Sequence, residues 1–194
     1  MDFFKKLFNK SQKEDDNIQK QAAKLALDDL FVSKFVEKGG KFLYCANKNE
    51  VVENFAKVIL ENNWNEIYLL DKELRFLCNQ RDVQLADTLK ESVPILTSCE
   101  YLIAASGDVL FSSNQLRSTR LQDFPDNFIV FATTSQLVKD TGQGLTGIKV
   151  NRKNNLPTNI SAVKNYNINK NDDNFLNYGN NNSKNLYLLL LEDL

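Results

Sequence analysis

The chain contains no histidine, and only one tryptophan, one methionine and three prolines among its 194 residues. The missing imidazole removes histidine-ligated zinc and the usual general base of a serine or cysteine nucleophile. Cys45, Cys78 and Cys99 are odd in number and far apart, so they form neither a CxxC pair nor a complete disulfide framework. Three thiols also cannot ligate a four-cysteine iron–sulfur cluster, and free thiols point to a reducing, cytoplasmic compartment. Charge excess is lacking too. A formal net charge of -1 gives no general attraction to nucleic acid or to anionic lipid. No apolar run approaches the roughly 18 residues that a membrane-crossing helix needs, and the N-terminal MDFFKKLFNKSQKEDD lacks the apolar stretch of a secretory signal. No metal or cofactor is expected from this composition.

What remains is an ordinary globular composition, 42% hydrophobic and 25% charged, which is enough to bury one substantial core. A single domain over 1–194 is expected, with 1–38 as a helical extension packed on or beside it. Phe3, Phe4, Leu7 and Phe8 follow helical spacing with lysines between them, a face suited to docking on the protein itself, on a second copy or on another subunit. Ala23, Leu27, Leu30, Phe31 and Phe35 share one face of a helix over 18–38, which Gly39-Gly40 ends.

KFLYCA (41–46) reads as a buried strand, and Asn47 caps a helix over 48–62 that turns Val51, Phe55, Val58 and Ile59 inward. IYLLD (67–71) is a second strand, so strand, helix and strand form a βαβ unit with parallel pairing. A short helix over 72–79 follows, and Leu85 and Leu89 sit at helical spacing. From Pro94 onward the pattern is that of strands: PILTS, CEYLIAA, DVLFSS and FIVFAT, the middle two close enough to form an antiparallel hairpin. SQLVKD (135–140) reads as a helical turn, 151–182 as a surface loop in which asparagine takes 13 of 32 positions, and NLYLLLLEDL as a returning strand. The order predicts a three-layer α/β sandwich with a mixed, mostly parallel sheet.

Two motifs invite a functional reading. Gly142-Gln143-Gly144-Leu145-Thr146-Gly147 matches GxGxxG, but SQLVKDT separates it from the preceding long strand, so glycine-permitted turns at the end of a short helix are expected rather than a dinucleotide site. Arg117 and Arg120 lie three residues apart in a polar connection, where two guanidinium groups can converge on a phosphate or carboxylate. The alternative is pairing with Asp123 or Asp126.

The stretches AASGDVLFSS (104–113) and RSTRLQDFPDNFIVFATTSQLV (117–138), together with the C-terminal NLYLLLLEDL, resemble in content and order the LUD-domain family, whose best-known member is the lactate-utilization protein C. The resemblance implies a NagB/RpiA/CoA transferase-like fold, an association with lactate oxidation, and iron–sulfur oxidoreductase subunits as partners. The family's Thr-Gly-Thr hairpin stands here as Ser106-Gly107-Asp108, and LPTNISAVKNYNIN occupies the place of its glycine-proline-serine segment. An accessory protein that binds an anionic small molecule is therefore expected, with Ser106, Gly107, Asp108, Arg117 and Arg120 as ligand-binding residues. Asn47 and Asp71, at the carboxyl ends of strands, are lower-ranked neighbours. A coenzyme A transferase-like or sugar-phosphate-handling enzyme and a pure interaction subunit are the alternatives, and no catalytic residue is assigned.

Overall fold

The computed structural model describes residues 27–79, 83–168 and 182–193. The amphipathic stretch around Phe3, Phe4, Leu7 and Phe8 and the first half of the 18–38 helix lie outside them.

Helix α1 (27–37) turns Phe31 and Phe35 fully inward and leaves Leu30 on its outer side, 41% exposed, so the apolar stripe is narrower than the spacing predicts. The elements that follow are β1 (Lys41–Cys45), α2 (Lys48–Glu61), β2 (Glu66–Leu69), a 3-10 turn (Lys72–Leu74), α3 (Arg75–Asn79), β3 (Gln84–Leu85), β4 (Ile95–Ser98), β5 (Tyr101–Ile103), β6 (Asp108–Ser112), α4 (Ser113–Leu116), β7 (Asn127–Thr133), β8 (Leu137–Val138), α5 (Thr141–Asn151), β9 (Ile160–Val163) and β10 (Asn185–Leu191). Six strands form one sheet in the order β1-β10-β7-β4-β2-β3, and every pairing in it is parallel. β1 and β2 are thus parallel members of one sheet, as a βαβ unit requires, but three strands lie between them.

Antiparallel pairing belongs to a second sheet, β8-β5-β6-β9, whose hairpin β5–β6 is the one expected from the sequence. β9 and β8 were not expected as strands. Both are short and polar-flanked, and each is held by an existing strand: Ile160–Val163 by β6 and Leu137–Val138 by β5. Leu85, placed on a helix by its spacing to Leu89, instead pairs with Ile67 in β3.

Alternation along the central strands builds the layers, because successive strand side chains point to opposite faces. On β10, Leu186, Leu188 and Leu190 enter a core shared with α1 and the hairpin, whereas Tyr187, Leu189 and Leu191 enter a core shared with α2 and α3. β4 and β7 alternate the same way, with Ile95, Phe128 and Val130 on the first side and Leu96 and Ile129 on the second. A run such as LYLLLL shows no period because both faces are buried. Lys184, just before β10, is buried at 2% exposure; its Nζ donates to the Phe124 carbonyl at 2.7 Å, and burial pulls its pKa down.

Glycines 142, 144 and 147 lie within α5 rather than in turns after a helix. A Cβ on Gly144 would stand 3.0 Å from Leu110 and 3.2 Å from Ile103, so the missing side chain lets the helix sit on the small sheet. Asn47 caps α2 as expected, its side-chain oxygen accepting from Asn49 N at 3.0 Å and Glu50 N at 3.1 Å. Asn47→Ala should lower unfolding stability by about 1 kcal/mol. Chemical denaturation checks this, and an unchanged midpoint would contradict it.

Candidate functional site

Parallel strands all release their chains at one edge, so the residues following β1, β10, β7, β4 and β2 form a single polar row there. Asn47 follows β1 and is engaged in capping α2. Asp193 follows β10 and accepts from Thr134 Oγ1 at 2.8 Å, Ser135 N at 2.8 Å and Ser135 Oγ at 2.6 Å, all from the turn after β7. Asp71 follows β2, caps the 3-10 turn through Glu73 N at 3.0 Å, and accepts from Ser98 Oγ at 2.5 Å at the end of β4. Open parallel sheets place their ligand crevices at this edge.

Burial pushes the Asp193 carboxyl up, but the bonds from Ser135 and Thr134 outweigh it and bring the pKa down to about 2. A depressed carboxylate adds stability above its unfolded pKa of about 3.9, and that stability is lost as the pH falls through the folded value. Asp193→Asn should therefore flatten part of the acid destabilisation between pH 4 and about 2. Because the side chain is exposed, screening holds the effect below about 1 kcal/mol. Parallel pH titrations of wild type and variant by circular dichroism check this, and superimposable curves would contradict it.

Beside this row lies a cleft of about 310 Å³ between the end of the main sheet and α5. The turn after β7 supplies Ser135 and Gln136, the β4–β5 junction supplies Cys99, Glu100 and Tyr101, and the end of α5 supplies Ile148, Asn151 and Arg152. Gln136 positions two walls at once. Its amide nitrogen donates to the Cys99 carbonyl at 2.6 Å and the Glu100 carbonyl at 3.3 Å, and its oxygen accepts from Thr133 N at 2.8 Å. Tyr101 accepts from Asn151 Nδ2 at 2.9 Å. The Cys99 thiol is fully enclosed, and burial followed by the neighbouring Glu100 raises its pKa, so it remains a neutral thiol.

Glu100 and Arg152 are the charged pair of the cleft. The Glu100 side chain is 6% exposed; its Oε1 accepts from Ser112 Oγ at 2.6 Å and its Oε2 from Arg152 Nη2 at 3.2 Å. The Arg152 side chain is 47% exposed and its guanidinium makes that one hydrogen bond to the protein, so its other N–H groups remain available at the cleft. Such a guanidinium suits a carboxylate or phosphate. Among the described residues, no group of three or more cysteines, aspartates and glutamates is placed to hold a metal ion, and no helix is long and apolar enough to cross a membrane.

The five residues singled out in the sequence lie in three places. Ser106, Gly107 and Asp108 form the β5–β6 turn at the opposite end, under α1. Asp108 is ion-paired to Lys38 at 2.8 Å, three residues before β1 begins, and the Gly107 carbonyl accepts from the Tyr166 hydroxyl at 2.6 Å. Arg120 forms a two-point pair with Asp123 at 2.8 and 3.1 Å. Arg117 does reach the carboxyl edge, donating to the Leu70 carbonyl at 3.3 Å from a backbone held at φ 57°. A positive φ at a non-glycine residue stores strain that surrounding structure must impose. Glu100, Gln136 and Arg152, which line the cleft, were not singled out in the sequence. Arg152 sits in an asparagine-rich stretch, and only the packing of α5 on the hairpin brings it to Glu100.

Comparison with known proteins agrees with this architecture. A solved DUF162 family protein from Deinococcus radiodurans superposes with a TM-score of 0.61 over 87% of this chain and 98% of its own, at 14% identity, a level that speaks for the fold alone. No curated protein matches the sequence. The LUD domain matches residues 69–191, a span that begins at the end of β2, includes every wall of the cleft and closes with β10. The chain belongs to the LUD-domain family.

Proposed function

We propose that this chain is an accessory, ligand-binding component of lactate or related organic-acid metabolism, holding a small anion in the carboxyl-edge cleft and working without a redox centre of its own. Arg152 carries this reading: a half-exposed guanidinium in a cleft of ligand size, with one polar contact to the protein. Arg117 is a further cation at the same edge, joined by no ion pair among the described residues. The Ser106-Gly107-Asp108 turn serves the docking of α1, and iron–sulfur oxidoreductase subunits are the partners that the family membership suggests.

A second reading, a coenzyme A transferase-like enzyme, has one observation in its favour, the nearly buried Glu100 carboxylate on the cleft wall. Thermal-shift measurements against lactate, pyruvate, coenzyme A esters and sugar phosphates test both. Stabilisation by the small carboxylates supports the first reading, and stabilisation by acyl-coenzyme A alone supports the second. No shift with any anion contradicts both.

A further inference from the structure

We infer that β1 is a docking edge for a second copy of this chain, the two strands pairing antiparallel about a twofold axis at Leu43 so that their main sheets join. Among the described residues β1 pairs with β10 alone and forms one border of the six-stranded sheet. The Cys45 carbonyl accepts from Glu192 N at 2.9 Å, and a parallel ladder bonds through alternate residues of a strand. Lys41, Leu43 and Cys45 are therefore turned to β10, and Phe42 and Tyr44 aim their backbone groups outward. Of those groups, the Tyr44 carbonyl receives a long bond of 3.4 Å from Asn54 Nδ2, and no other has a partner among the described residues.

An open edge attracts another strand unless it is short, covered, or blunted by proline or an outward lysine. The borders at β3 and β8 are two residues long, and Asn182 Nδ2 reaches the Ala162 carbonyl of β9 at 3.4 Å. β1 has five residues and no proline, and Lys41, its one charge, gives its Nζ to the Tyr187 hydroxyl at 2.8 Å.

Two features select a second copy as the occupant. Matching outward residues to outward residues sets Phe42 of each copy opposite Tyr44 of the other, so the axis creates two cross-strand aromatic pairs and covers a Tyr44 that is 46% exposed. Charge selects the same direction. The hydrogen bond to Glu192, then burial and the charges of Asp28 and Glu50, push the Tyr44 hydroxyl up to about 12, which marks the end of β1 as acidic, whereas Lys41 stands at its beginning. Antiparallel pairing sets the basic end against the acidic end twice. It also places the carboxyl edges of the two sheets at opposite ends, so both clefts stay open and dimer formation is independent of anion binding.

The test is sedimentation velocity of the full chain over about a hundredfold range of concentration, where a reversible monomer–dimer equilibrium is expected. Tyr44→Pro removes an outward N–H that β10 does not use and should weaken association at least about tenfold, whereas Tyr44→Phe should stay within about twofold of wild type. Leu43 faces Leu43 of the other copy in a pair with Cα atoms about 4.5 Å apart, so Leu43→Cys should join two copies by a disulfide under mild oxidation. Wild type, with its three cysteines buried, should not. A chain that stays monomeric throughout overturns the inference. A dimer that Leu43→Cys does not link, or that Tyr44→Pro leaves unchanged, overturns it too and moves the interface elsewhere. Slow amide exchange at Phe42 and Tyr44 in the monomer also overturns it, assigning the edge to the chain's own residues 1–26. The wild-type equilibrium and the Leu43→Cys link decide the matter even if Tyr44→Pro fails to fold.

Discussion

Gly107→Ala should cost about 2–4 kcal/mol of unfolding stability although it adds a single methyl group. Two costs combine. Gly107 has φ +70°, where a side chain is strained, and a Cβ there would stand 2.6 Å from Phe35 N and 2.7 Å from the Lys34 carbonyl carbon. Those are backbone atoms of α1, which cannot turn aside as a side-chain end would. Relief requires lifting the helix, and the helix carries Phe31 and Phe35 into the core along with the tilted ring contact of Phe35 on Tyr166 at 4.4 Å between centroids. Urea denaturation measures the loss. Gly142→Ala, inside α5 where a Cβ would meet the Asp140 side-chain oxygen at 3.3 Å, should be close to neutral and serves as the control. A Gly107→Ala protein as stable as wild type would mean that the turn does not bear on α1.

Arg152→Ala should weaken binding of a small carboxylate by about a hundredfold, the loss of two charge-assisted hydrogen bonds. It should also destabilise the chain by about 1–3 kcal/mol, because Glu100 would keep only the Ser112 bond in a site where water has little access. The two effects separate in a double variant. Adding Glu100→Gln removes the unpaired charge and should restore much of the stability, while binding stays lost. Arg152→Lys should recover part of the affinity, since the charge returns without the fork. Titration calorimetry and urea denaturation on the four proteins give both quantities. Unchanged affinity in Arg152→Ala would remove the residue from the site.

The layered fold could be read from the sequence because its signals are local. Val51, Phe55, Val58 and Ile59 repeat at helical spacing, Asn47 stands at a cap, and 41–45, 95–98, 127–133 and 185–191 are apolar runs of strand length. The order of strands was not local. β10 is inserted between β1 and β7 by pairings that join residues more than 50 positions apart, and nothing in NLYLLLL names its neighbours. The candidate site was legible only in part for the same reason. Arg117 was found because two arginines in a polar connection are conspicuous, but its neighbour Arg120 faces Asp123, the alternative that the spacing of opposite charges always offered. Asp108 drew attention as a charge in a hairpin turn. Its partner, Lys38, lies 70 residues away and turns that charge into an anchor for α1. Glu100 and Arg152 are separated by 52 residues and have no motif in common, and only the seating of glycine-bearing α5 on the small sheet brings them together.

The central claim is the location of the anion site, and a crystal structure of the full chain grown with 2-hydroxypropanoate tests it most directly. A carboxylate bonded to Arg152 at about 2.7–2.9 Å is the expected result. A ligand bound instead at the Ser106-Gly107-Asp108 turn or at Arg120, with the cleft beside Gln136 holding none, would contradict it.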